Sequence, residues 1–102
     1  MKLRDISETF EADLQDSEFV QVYLEEAMHD GTPNLLVALR NVIQANEGMA
    51  DIAQEVGVGR ESLYKTLSET GNPHFATIEK VIKALGLRLT IAPAAMAKAS
   101  SI

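Results

Sequence analysis

The sequence predicts an all-α chain: a compact domain of four to five helices followed by one short carboxy-terminal β-strand. Three observations carry that prediction. Apolar residues recur at three- and four-residue spacing in successive segments, glycine or proline stands at most of the boundaries between them, and a single stretch near the end alternates with period two instead. With 102 residues there is material for one hydrophobic core and not for two. The expected organisation is an acidic, partly ordered segment over 1–16, a helical domain over 17–92, and a flexible tail over 93–102.

The first element is "SEFVQVYLEEAMHDG", where Phe19, Val22, Tyr23 and Ala27 form one apolar stripe and predict a helix over 17–29. Asp16 or Ser17 caps it and Gly31 ends it. In "TPNLLVALRNVIQANEG", Thr32 is the candidate cap and Pro33 the first helical residue, where its missing N–H does no harm. Leu35, Leu36, Leu39, Val42 and Ile43 then face a core together, giving a helix over 33–46.

The stretch "DIAQEVGVGRESLYKTL" reads as two short helices joined at glycine. Ile52, Ala53 and Val56 are the buried side of the first, over 49–55, and Gly57 supplies the turn that lets the chain change direction. The second runs over 60–67, burying Leu63 and Leu67. Helices this short need neighbours to complete a core. One neighbour is "GNPHFATIEKVIKALG", which places Phe75, Ile78, Val81, Ile82 and Leu85 on one face and stops at Gly86. Beyond it "LRLTI" has the alternation of a half-buried strand, with no second strand in the chain to pair with; it either packs loosely or pairs with the second copy of a homodimer or with a protein partner.

Composition narrows function. There is no cysteine, and His29 and His74 stand apart from any ligand pattern, so neither a metal nor another cofactor is expected. Catalysis needs converging groups, whereas Glu25 and Glu26 are neighbours that diverge around a helix, and no glycine-rich phosphate loop occurs; the expectation is a protein that is not an enzyme. The start lacks the apolar run of a signal peptide and no stretch is long and apolar enough to span a bilayer, which points to the cytoplasm and to no membrane partner. The net charge of -6 is unevenly spread. Residues 1–31 hold nine acids against Lys2 and Arg4, while residues 32–102 hold seven bases against six acids.

A helix-turn-helix that reads DNA buries a small residue where its helices cross, keeps glycine in the turn, and exposes polar residues on the early turns of the second helix. Ala53, Gly57 and Leu63 have that spacing. Arg60, Glu61, Ser62 and Lys65 are then the side chains able to reach base edges: Arg60 suits guanine O6 and N7, Glu61 suits cytosine N4, and Ser62 donates or accepts. Phosphate contacts fall to the amides near Met49 and Gly59, to Asn72 in the following turn, and to Arg40 and Gln44, while Tyr64 either lies against sugar and phosphate or packs on the carboxy-terminal helix. With so few bases one protomer binds weakly; a homodimer doubles the contacts and matches a palindromic operator in double-stranded DNA.

The run "MADIAQEVGVGRESLYKTLSETGNPHFATIEKVIKALGLRL", with "VYLEEAMHDG" and "LLVALRNVIQANEGMADIA" upstream, resembles the Xre/Cro-like helix-turn-helix proteins and, more closely, the probable addiction-module antidote proteins, HigA-like antitoxins often found in prophage regions. The resemblance spans roughly residues 10–92. It implies a lambda-repressor-like fold and a transcriptional repressor that binds the operator of its own toxin–antitoxin operon and neutralises a small basic, RelE-like toxin, with Arg60, Glu61, Ser62 and Lys65 as base readers. Two positions depart from the pattern. Met49 stands where many such proteins have a phosphate-binding glutamine, and Gly59 where they cap with serine or threonine.

The acidic amino-terminal third suits a basic partner, with Phe19 and Tyr23 as apolar anchors beside Glu25 and Glu26. The same aromatics occupy helix-stripe positions, and closing the domain core is the stronger reading of them. Two other functions fit the residues: a stand-alone prophage transcriptional regulator, and an acidic protein-binding domain without DNA affinity.

Overall fold

The computed structural model describes residue 10, residues 12–46 and residues 48–94. Among the described residues five bounded α-helices follow one another: α1 (Ser17–Asp30), α2 (Thr32–Ala45), α3 (Met49–Val56), α4 (Arg60–Thr66) and α5 (Phe75–Ala84). Most of the expected acidic segment, residues 1–9 and 11, and most of the expected tail, residues 95–102, lie outside the described residues.

Asp16 caps α1, its carboxylate accepting a 3.0 Å hydrogen bond from the Glu18 N–H. One residue, Gly31, separates α1 from α2. Its φ of 119° and ψ of 167° are open to glycine and strained for any residue with a Cβ, so a sharp reversal is achieved without a loop. Gly31 also occupies the N-cap of α2. Thr32 is therefore the first helical residue and not the cap, and Pro33 sits one position further in than the sequence suggests, still within the first turn, where no N–H is needed.

Far along α2, Asn46 ends the helix and ties it to the preceding segment. Its Nδ2 donates to the carbonyls of Val42 at 2.7 Å and Leu14 at 2.8 Å, while Gln15 Nε2 donates to the Ala45 carbonyl at 2.7 Å. Those bonds seat Leu14, which is buried in the core.

The centre of that core is Leu36, Leu39 and Ile43 of α2, Ile52 of α3, Leu63 of α4, Leu67 just after it, and Val81 of α5, none more than 1% exposed. Each such side chain contributes roughly 1.5–3 kcal/mol by leaving water. Every helix but α1 thus has a residue at the centre. The buried face of α1 is Val20 and Leu24, flanked by half-buried Phe19, Tyr23 and Ala27. Val22, expected in this stripe, points outward at 57% exposure, because two residues on from Val20 is about 200° round the helix.

Two further expectations need correction. Phe75 is 71% exposed, and the packed face of α5 begins one turn later with half-buried Ile78, continuing through buried Val81 and Ile82 to half-buried Leu85. Residues 87–91 form no strand, and among the described residues there is none. A lone strand has no ladder to complete, so periodicity of side chains alone does not create one.

Candidate nucleic-acid interface

The helices α3 and α4 are joined by residues 57–59. Gly57 takes the left-handed conformation, φ 88° and ψ 29°, and the N–H groups of Gly57 and Val58 both donate to the Ala53 carbonyl, at 2.9 and 3.0 Å. This closes α3 with satisfied backbone and turns the chain into Gly59, the extended N-cap of α4. Ala53, 2% exposed, is the small buried residue expected beside the joint. Leu63 and Leu67 fix α4 on the core from the other side.

With that side buried, the remaining residues of α4 are directed outward. Arg60, Glu61, Ser62 and Lys65 are all exposed, and Tyr64 is half-buried. Tyr64 is also the organiser of this surface. Its hydroxyl accepts a 2.9 Å hydrogen bond from Gln44 Nε2 of α2, and the Arg60 guanidinium carbon lies 5.8 Å from its ring centroid. One turn of helix separates Arg60 from Tyr64, so the ring supports the guanidinium while leaving its five donors free for other acceptors.

Of the residues expected near phosphate, Gln44 joins this cluster through Tyr64 and Asn72 is exposed in the loop before α5. Met49 presents no side chain: it is 4% exposed and packs into the core, so only its amide, at the first position of α3, is left as a candidate contact. The Gly59 amide lies at the start of α4. Arg40 is half-buried within α2 and is not linked to the cluster by a hydrogen bond. Between Gly48 and His74 four acids, Asp51, Glu55, Glu61 and Glu69, face two bases, Arg60 and Lys65.

The residues expected to meet a protein partner lie elsewhere. Phe19 and Tyr23 stack at 6.1 Å and 18°, and Phe10 meets both rings edge-on at 6.3 and 5.7 Å. Both α1 rings also rest against the core, and the Tyr23 hydroxyl accepts from Asn41 Nδ2 at 3.0 Å. Glu25 and Glu26 are exposed, but they diverge: Glu26 borders a groove with Tyr23, and Glu25 does not. Glu69, which follows α4, borders the same groove, a position that no local sequence pattern signals.

Among the described residues no group of three histidine, aspartate or glutamate side chains is placed to hold a metal ion, and no helix is long and apolar enough to cross a membrane.

The chain is 41% identical over 78 residues to an uncharacterised protein of Haemophilus influenzae strain Rd, an overlap of 76% of this chain and 80% of that one. No solved structure matches it. The model of a family described as probable addiction module antidote protein matches residues 5–93, nearly the whole chain, and the chain belongs to that family.

Proposed function

We propose that this protein is an antitoxin that binds operator DNA and represses its own toxin–antitoxin operon. In this reading α3, the turn at Gly57 and α4 are a helix-turn-helix of the HigA-like Xre type in a lambda-repressor-like domain. The observation that carries it is the division of α4: Leu63 is fully buried, while Arg60, Glu61, Ser62 and Lys65 are exposed together on a helix joined to α3 by a three-residue turn. Membership of an antidote family supports the antitoxin role and a toxin as partner. The small basic, RelE-like character of that toxin, and a prophage setting, are part of the proposal.

Mechanistically, α4 enters the major groove and Arg60, held over Tyr64, reads guanine, with Glu61, Ser62 and Lys65 beside it. Gln44, Asn72, Arg40 and the amides of Met49 and Gly59 supply backbone contacts, while the Tyr64 ring supports Arg60. Two bases on this surface make a weak polyanion site, so two copies act together as a homodimer. The protein acts in the cytoplasm by binding, without enzymatic chemistry.

The test is a fluorescence-anisotropy titration against the duplex upstream of its own gene at fixed salt, with a scrambled duplex as control. Binding at least tenfold tighter to the native duplex is expected. Equal, weak binding to both duplexes contradicts sequence-specific readout and favours an acidic protein-binding domain.

A further inference from the structure

We propose that the groove between α1 and α2, bordered also by Glu69, takes a lysine- or arginine-bearing segment of the protein partner. This deepens the antitoxin reading and rests on it for the partner's identity alone. The groove has an apolar base and charged borders. Buried Ala38 and half-buried Tyr23, Ala27 and Val37 form the base, and exposed Glu26, Asp30 and Glu69 border it. Alanine at both 27 and 38 keeps the base shallow enough to stay open.

Charge complementarity selects the occupant. Three carboxylates from two distant parts of the chain converge on the groove, and no lysine, arginine or histidine lines it. An acidic or purely apolar segment would leave those carboxylates repelled or desolvated without a partner. Lysine and arginine fit both parts, since their methylene stems cover apolar surface while their heads remain with the carboxylates. One wall is already ordered: Tyr23 is fixed by the Phe19 stack and by its bond from Asn41, so it loses little freedom when the groove fills.

The experiment is an NMR titration of the 15N-labelled full chain with a helical peptide of leucine and arginine, using the same peptide with glutamate in place of arginine as control. Amide shifts are expected over residues 23–38 and around Glu69, with none from the glutamate peptide. The triple variant Glu26→Gln, Asp30→Asn, Glu69→Gln should weaken arginine-peptide binding at least tenfold. Glu18→Gln, Asp51→Asn, Glu55→Gln, an equal charge change outside the groove, should weaken it less than twofold. Equal weakening by both triples, or shifts centred elsewhere, overturns the proposal. Operator affinity and binding of the neighbouring gene's product are measured on the same proteins. If the product binds with its shifts outside the groove, the groove fails and the antitoxin reading stands; if neither operator nor product binds while the peptide does, the reverse holds.

Discussion

Gln44 Nε2 donates to the Tyr64 hydroxyl across 2.9 Å, joining the last turn of α2 to the exposed side of α4. The bond is solvent-accessible, so its net contribution is small, on the order of 0.5–1 kcal/mol. Its effect is positional. Tyr64 in turn lies under Arg60, so the bond restrains the platform beneath the principal base-reading candidate.

Tyr64→Phe therefore separates the hydroxyl from the ring. Stability in urea should fall by about 1 kcal/mol or less, and operator affinity should fall only slightly, because the ring beneath Arg60 remains. Tyr64→Ala removes both and should cost distinctly more affinity. Equal losses in the two variants would show that the hydroxyl itself contacts DNA and that the ring is incidental.

Leu63 is the anchor of α4 and has no exposed surface. Leu63→Ala should destabilise the fold by about 2–5 kcal/mol, the range for a buried leucine whose surroundings collapse only partly. Calorimetry should show Tm lower by roughly 10 °C or more. A loss below 1 kcal/mol would mean that α4 is not held by this side chain.

Glycine at 71 answers to crowding. A Cβ there would overlap the Thr66 carbonyl oxygen and lie 2.8 Å from its carbon, at the end of α4, so backbone must move. At Gly57 a Cβ meets nothing within 4 Å, and the cost of a side chain is only that of φ 88°. Gly57→Ala should thus cost about 1–2 kcal/mol, and Gly71→Ala about 3 kcal/mol or more, read from urea unfolding at constant m. The reverse order would show that the loop before α5 yields easily.

These sites show how far the chain can be read before folding. The limits of α2, α3 and α4 are legible to within about a residue, because glycines 31, 48, 57 and 59 stand next to apolar periodicity. Periodicity names a face but not its width. For that reason Phe75 and Val22 look buried in sequence and are exposed, while Leu24, off the expected stripe, lies in the core. The strand at "LRLTI" fails for a related cause, since alternation records a preference that only a pairing partner can realise. Contacts set by tertiary approach have no local signal at all. The bonds of Gln15 and Asn46 across the end of α2, the link from Gln44 to Tyr64, and the meeting of Glu69 with Asp30 around one groove are of this kind. The outward placement of Arg60, Glu61, Ser62 and Lys65 was legible, because burial of Leu63 and Leu67 leaves them no other side.

That placement makes Arg60 and Lys65 separable. Both are exposed, so alanine at either position should leave the far-UV circular dichroism and the unfolding midpoint unchanged. Arg60→Ala should reduce affinity for the native operator by roughly 1–3 kcal/mol, the range for one bidentate guanine contact, and barely alter binding to scrambled duplex. If Lys65 instead meets phosphate, its alanine variant should weaken both duplexes alike and lower the slope of log K against log salt by about 0.9. Parallel anisotropy titrations at several salt concentrations distinguish the two behaviours. Unfolding of the Arg60→Ala protein would make the stack on Tyr64 a structural contact and remove Arg60 from readout.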